Sequence, residues 1–310
     1  MDDRDRATLP SYDALPLLDD LRMRHAWGVF GEDDEVGTVN LLTPARIVAA
    51  MTEVTRGTVF NLSLPLDLPR GGSRSPHRHT IFNLDRNTQD DVLDNFYLQG
   101  SSQWDGLRHV SARSHGYYND TNPAEAADPA GRLGIGAWAD HGIVGRGVLL
   151  DVERHLANQQ RPLAPTDGFE IGPDLLDEVA TAQGVSLRDG DVVMVRTGYG
   201  ALVSDPESRS RPRSWPGLAP TEDMARFLWD RHVSAIVSDN PAVEWAPGDP
   251  KEFLHRRLIP LLGMALGELF QLEGLAADCA DDGRYTCLFV AVPLNLRAGV
   301  GSPANAVAVK

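Results

Sequence analysis

An α/β or α+β fold around a central, buried, mixed sheet is what this chain of 310 residues predicts. Three observations carry that expectation. Strand-like and helix-like segments alternate along the sequence. Several strand-like segments are continuous apolar runs, the pattern of strands covered on both faces. The helix-like segments are amphipathic and bear start and stop residues. No internal repeat, low-complexity tract or linker divides the chain, so one domain is expected despite the length.

Residues 1–24 read as an acidic lead-in that ends in a short helix over 14–24. Thr43-Pro44 is a helix start, a hydroxyl cap followed by proline in the first turn, and predicts a helix from Pro44 to about Val54 that Gly57 ends. Residues 58–66 alternate like a strand. Residues 66–96 are rich in Pro, Gly, Arg, Asp and Asn and read as one long loop, which could cover a pocket. Residues 113–137 are again irregular. Strands are expected within 146–152, 190–200, 234–240 and 284–296. Helices are expected at 173–185, closed by Gly184, at 221–233, at 251–263 until Pro260 perturbs it, and at 268–280.

Lys and Arg number 29 against 44 Asp and Glu, a formal charge of −15. A nucleic-acid binder needs a basic face, and the densest cationic stretch, residues 209–213, holds only three Arg. The same charge argues against docking on an anionic membrane. No apolar run of about 18 residues exists, so no transmembrane helix is expected. The N-terminal residues lack the apolar core of a signal peptide, and the two cysteines, Cys279 and Cys287, read as reduced core residues. A cytoplasmic setting follows as the expectation.

Gly134-Ile-Gly136-Ala-Trp-Ala139 matches a dinucleotide-binding glycine pattern, but it precedes a strand instead of following one, and is set aside. The informative stretch is Gln99-Gly-Ser-Ser-Gln103-Trp-Asp105-Gly-Leu-Arg-His109. If residues 99–105 are extended, Gln99, Ser101, Gln103 and Asp105 share one face. Four polar side chains in a buried sheet need partners: each other, a metal, a substrate or solvent. Asp105 and His109 pair a carboxylate with an imidazole, a combination that ligates metals or exchanges protons. The same pattern also fits an edge strand leading into a turn, with His109 in a structural hydrogen bond. His255, on a helix beside two arginines, and Glu268, within an apolar run, each read equally as ordinary structural residues. Asp239 ends an apolar strand, the position of a ligand site or of a cap.

This stretch resembles the signature of the cyclase / kynurenine formamidase-like hydrolase family, His-x-Gly-Thr-His-x-Asp-x-Pro-x-His. On this chain the first His falls at Gln99, the second at Gln103, the Asp at Asp105 and the last His at His109. Gly-Thr becomes Ser101-Ser102 and Pro becomes Leu107. Trp27-Gly28, Asp33 to Asn40, the Gly145 to Asp151 run, Gly190-Asp191, Arg196-Thr-Gly198, Ser238-Asp239-Asn240, Gly267-Glu268 and the closing Gly299 to Pro303 are similar to further family motifs. The resemblance covers roughly residues 25–310. It implies a single swivelling β/α/β domain over 25–310, preceded by the 1–24 lead-in, and a homodimer or homotetramer. It also implies a small-molecule substrate and a divalent metal, Mn or Zn.

Carried over residue by residue, the metal set is Asp105, His109, Glu268 and, through its amide oxygen, Gln103. His255 takes the acid–base place, with Asp105 and His109 as its catalytic partners. Gln99, Trp104 and Arg108 are expected to orient substrate, and the Phe96, Trp104 and Trp138 neighbourhood to form an aromatic wall. Gln in place of His makes the donor set richer in oxygen, which leans toward Mn over Zn. The activity implied is hydrolysis of an amide, lactam or ester bond. The alternative is a metal-independent cyclase or dehydratase. A non-catalytic binding protein is the third class, against which the retention of four ionisable groups argues.

Overall fold

The computed structural model describes residues 9–69, 74–204, 212–248 and 253–310. Nine strands form one sheet: β1 Val59–Asn61, β2 Gln103–Asp105, β3 Ile143–Asp151, β4 Val192–Arg196, β5 Ala235–Ser238, β6 Ala265–Glu268, β7 Thr286–Ala291, β8 Gly301–Pro303 and β9 Ala306–Val309. Their order is β8-β2-β6-β5-β4-β3-β7-β9-β1. Strands β3 to β6 run parallel, and antiparallel strands flank them on both sides. Parallel neighbours need crossovers. Helices α2 Val152–Asn158 and α3 Pro173–Ala182 lie between β3 and β4, and α4 Glu222–Asp230 lies between β4 and β5. The mixed α/β architecture with a central sheet is the one expected. No helix among the described residues is long and apolar enough to cross a membrane.

The cap signals act as read. The Thr43 hydroxyl accepts from the Arg46 N–H at 3.3 Å and starts α1 Pro44–Ala50, which tightens into a 3₁₀ turn at Met51–Glu53. Thr221 does the same for α4, accepting from the Met224 N–H at 3.2 Å. Asp239 is a cap as well: its fully buried carboxylate accepts from the N–H groups of Thr197, Gly198 and Gly200 and from the Thr197 hydroxyl.

Four expectations fail, each for a tertiary reason. Residues 14–24 are not helical. A 3₁₀ turn at Tyr12–Ala14 leads into paired strands Leu17–Leu18 and Met23–Arg24, and Tyr12 and Leu15 are buried in the core. The Tyr12 N–H donates to Asp230 and the Trp229 indole to the Pro10 carbonyl, so α4 supplies the partners a local helix would have supplied. Residues 265–268 form β6, not the start of a helix; the helix follows at α5 Glu273–Asp282. An apolar run of this length does not distinguish buried strand from buried helix. Extension in the 99–105 stretch is confined to β2, because Gly100 closes a turn on the Tyr97 carbonyl. The 66–96 stretch contains an antiparallel hairpin, Arg78–Asn83 with Gln89–Asp94. Residues 1–8, 70–73, 205–211 and 249–252, which carry parts of the lead-in, the long loop, the 209–213 stretch and the 251–263 helix, lie outside the described residues.

Strand β2 positions the site. It lies between β8 and β6, with Gln103 opposite Glu268 and Trp104 opposite Gly267. Alternation sends Gln103 and Asp105 to one face and Trp104 to the other. On that other face Trp104 meets Phe270, Phe289 and Trp138 edge-on at centroid distances of 5.2, 6.2 and 6.4 Å, and its indole N–H donates to the Ala304 carbonyl at 2.9 Å. Gly267 is required there, since a Cβ would stand 2.5 Å from Val237 and 2.6 Å from the Phe270 ring.

Candidate active site

Four elements converge on one buried cluster. Strand β2 brings Gln103 and Asp105, and β6 brings Glu268. The turn after β2 brings His109, and the helical segment that starts at Leu254 brings His255. Asp105, His255 and Glu268 are all buried, and one ligand atom from each lies within 4.8 Å of the others. The His255 Nε2 is 3.1 Å from Glu268 Oε1 and 3.7 Å from Asp105 Oδ2.

Gln103 is held by its neighbours in a definite orientation. Its Nε2 donates to Glu268 Oε2 at 2.7 Å and to Asp105 Oδ1 at 3.3 Å, and its Oε1 accepts from Arg74 at 3.4 Å. A flipped amide would set its oxygen against two carboxylates and its NH₂ against a guanidinium. The oxygen that could ligate a metal is therefore turned to Arg74, and Gln103 leaves the expected metal set. Gln99 Nε2 donates to Asp105 Oδ1 and, at 3.1 Å, to His109 Nδ1. That second bond makes Nδ1 the acceptor and leaves the proton of a neutral His109 on Nε2, 3.8 Å from Asp105 Oδ1.

Asp105 Oδ1 is thus engaged by two amides, whereas Oδ2 is buried with no hydrogen-bond partner. Burying a carboxylate oxygen without a hydrogen bond is costly; the His255 ring, 3.7 Å away, offsets part of that cost, and a cation in direct contact would offset more. With His255 Nε2 and Glu268 Oε1 beside it, the donor set is one nitrogen and two anionic oxygens, a set that suits a divalent cation. His255 replaces His109 in that set, because the chain turn after β2 carries His109 to the partly exposed mouth.

Glu244, which the sequence reading missed, orients His255. It accepts from His255 Nδ1 at 2.6 Å and from the Leu254 N–H at 2.7 Å, so Nε2 is the ring nitrogen facing Asp105 and Glu268. The Phe253 ring stacks on His255 at 4.9 Å with a 4° interplanar angle. The sequence signal for Glu244 was a lone carboxylate between Val243 and Trp245; Arg74, in an aperiodic polar loop, gave none.

Charges in the cluster are interdependent. Burial works against the charge of His255, but the carboxylates of Asp105, Glu244 and Glu268 outweigh it and hold the imidazole well above its usual value. Burial likewise opposes the charge of Asp105, yet His255, His109 and Gln99 keep it below the usual carboxylate range. Burial, with the negative charge of Asp105 added, pushes Glu268 up to about 8. Burial lowers His109 below its usual value.

A Glu268 that titrates at 4.5 when unfolded and at about 8 when folded stabilises the native state at low pH, and that stability is lost as pH rises through about 8. Glu268→Gln cannot ionise. In metal-free buffer it is expected to melt higher than wild type at pH 9, with the difference vanishing near pH 5. Thermal midpoints across that range check this, and parallel curves for the two proteins would contradict it.

Two expected substrate residues lie elsewhere. Trp104 faces the core, as β-strand alternation requires. Arg108 donates to the backbone carbonyls of Arg132, Asp128 and Ala298, and so fastens loops instead of lining the site. Trp138 is also buried in the core, against Trp104.

The family described as "Putative cyclase" matches residues 60–245. A solved structure described as a novel cyclase is 32% identical over 92% of this chain and 99% of its own, with a TM-score of 0.81. The fold is also similar to isatin hydrolase A from Ralstonia solanacearum, at 16% identity over 86% of this chain and 98% of that one, TM-score 0.60. The Labrenzia aggregata enzyme of the same name is similar at 17% identity over 85% and 97%, TM-score 0.57. No curated protein matches the chain.

Proposed function

This chain belongs to the cyclase family, and from that premise we propose that it is a hydrolase that opens an amide, lactam or ester bond in a small molecule with the help of a divalent metal. The observation that carries the reading is the buried Asp105–His255–Glu268 cluster with its orphaned Asp105 oxygen. The fold it has in common with the isatin hydrolases supports a small-molecule hydrolase as well. The cytoplasm is the proposed setting.

Asp105, His255 and Glu268 would hold the cation. Bound there, it would polarise a substrate carbonyl and acidify a water molecule. The chain's own residues do the rest. Glu244 fixes His255 with Nε2 inward, the outer carboxylate–histidine arrangement common behind metal sites. Gln99 and Gln103 hold Asp105 Oδ1, leaving Oδ2 for the cation. His109 stands at the mouth, and burial holds it below its usual value, so its neutral ring can take a proton at Nδ1, where it now accepts from Gln99, and as the imidazolium give the Nε2 proton to the departing nitrogen or oxygen. Burial of Asp105, His255 and Glu268 excludes bulk water from the charges.

Metal removal tests the reading. Protein stripped by a chelator is expected to lose turnover of amide, lactam and ester substrates and to regain it with Mn²⁺ or Zn²⁺; full activity without metal would overturn the proposal. Metal binding should also release protons. Metal-free Glu268 is mostly protonated at neutral pH and His255 is held protonated by its carboxylate neighbours; both must lose a proton to ligate, so affinity should fall about tenfold per pH unit below about 8 for each proton displaced. Calorimetry in two buffers of different ionisation enthalpy reads that release, and equal heats in both would contradict it.

A metal-independent cyclase or dehydratase is the second reading. It is favoured by one observation, the ion-paired His255 between Glu244 and Glu268, which already forms a complete proton-exchanging unit. There His255 is the acid–base group and Asp105, 3.7 Å from its Nε2, its partner. Turnover by metal-free protein would select this reading.

A further inference from the structure

Two arginines follow His255 directly in the sequence, and the chemistry described so far uses neither. Arg257 is hydrogen-bonded to Tyr12. Arg256 differs. Its Nε and Nη1 are buried with no hydrogen-bond partner, while the residue as a whole is only partly buried. A guanidinium carries five N–H donors and cannot shed its charge. This one is dry on one side, unpaired, and open to a ligand on the other. It is the counterpart of Asp105 Oδ2, an orphaned cation close to an orphaned anion.

Arg256 stands beside the buried cluster. Its guanidinium carbon lies 5.6 Å from the centroid of the Phe253 ring, and that ring stacks on the His255 imidazole at 4.9 Å. These two steps keep the charge within the length of a small molecule from His255. Glu244 attracts Arg256 but has no free oxygen for it, since Oε1 is taken by His255 Nδ1 and Oε2 by the Leu254 N–H. The other charges that act on Arg256 are the guanidiniums of Arg113 and Arg257, which repel it.

Arg113 lies four residues beyond His109, on the exposed segment that leaves the mouth. Arg74 acts electrostatically on His109 as well, while donating to the Gln99 carbonyl and to Gln103 Oε1. In a chain of charge −15 the rim of this one site is therefore cationic, a field that draws in anions.

We propose that the substrate carries a carboxylate and that Arg256 binds it. The inference rests on the hydrolase reading and narrows it: the bond opened belongs to an amide, lactam or ester that bears an acid group. A guanidinium and a carboxylate are planar, fork-to-fork partners. Arg257 is engaged and Arg113 lies in solvent, so one half-buried charge is on offer, which matches one carboxylate and leaves a doubly charged phosphate half unmatched. Phe253 adds a flat apolar face beside the fork. A substrate held at its acid end is oriented toward Asp105, His255 and Glu268. A neutral amide would leave the guanidinium unpaired and is discriminated against for that reason.

Binding to metal-free protein tests this without turnover. Phenylacetate and phenylacetamide are the probes, alike in shape and different in charge, and removing the metal denies the carboxylate a second place to bind. Titration calorimetry is expected to show wild type binding phenylacetate at least about tenfold more tightly than phenylacetamide. R256M should abolish that preference, and R256K should keep part of it, because a point charge remains where the fork is lost. Without a probe, R256M is expected to melt no lower than wild type, since it removes an unpaired, partly buried charge, so the lost preference is separable from a lost fold. A wild type that binds the two probes alike, or an R256M that keeps the preference, would overturn the proposal. Metal removal has a separate outcome: a chelated enzyme with full activity would end the metal-dependent reading and leave the carboxylate preference of Arg256 standing.

Discussion

Asp105→Asn is expected to lower kcat by about 10³-fold or more while leaving the fold intact. The substitution is isosteric, so β2 keeps its place between β6 and β8. What changes is the electrostatics of a fully buried position. Both amides that now donate to Asp105 Oδ1 would face either a neutral acceptor or a second NH₂ group. The orphaned Oδ2 would lose its charge, and with it the strongest attraction for a cation in the cluster. His255 would also lose one of the carboxylates that raise its pKa. Steady-state kinetics beside a thermal melt check the prediction: kcat falls by orders of magnitude while the midpoint stays near that of wild type. Retained turnover would remove Asp105 from the centre of the chemistry in the metal-dependent and metal-free readings alike.

Trp104→Ala is expected to produce the opposite pattern one residue away. The ring is fully buried among Phe270, Phe289 and Trp138. Deleting it leaves a cavity that neighbouring strands cannot close, and removes the indole that satisfies the Ala304 carbonyl. A cost of about 3–5 kcal/mol follows from a large-to-small change of this kind. The denaturant midpoint should fall at an unchanged slope, while kcat of the folded fraction stays near wild type, because the side chain points away from Asp105. A collapse of kcat with no loss of stability would put Trp104 in the site after all.

These adjacent residues show how far the sequence could be read. Alternation alone predicted that Gln103 and Asp105 share a face, and β2 keeps that relation. The same rule, applied strictly, excludes Trp104 from that face, so its expected place beside the substrate conflicted with the pattern itself. Glu268 was recognisable as a carboxylate in an apolar run, yet it is the last residue of a buried strand, not the first of a helix. Its raised pKa comes from that burial and from Asp105 on the neighbouring strand. Glu244 and Arg74 stand outside any periodic segment, and nothing local marks a loop residue whose partner lies elsewhere in the chain.

The sequence by itself determined the alternation of strands and helices, the capped helix starts at Thr43 and Thr221, and the identity of Asp105, His109, His255 and Glu268 as the groups worth watching. These depend on short-range periodicity, backbone caps and residue chemistry, which the chain carries locally. Only the tertiary structure decided which of them meet. His255 rather than His109 completes the donor triad, and Gln103 is turned away from it by Arg74, because amide orientation and ring tautomer answer to hydrogen-bond partners brought together from distant parts of the chain. The Arg78–Asp94 hairpin belongs to the same class: a segment with the composition of a loop becomes a paired ribbon only when its two halves find each other in space.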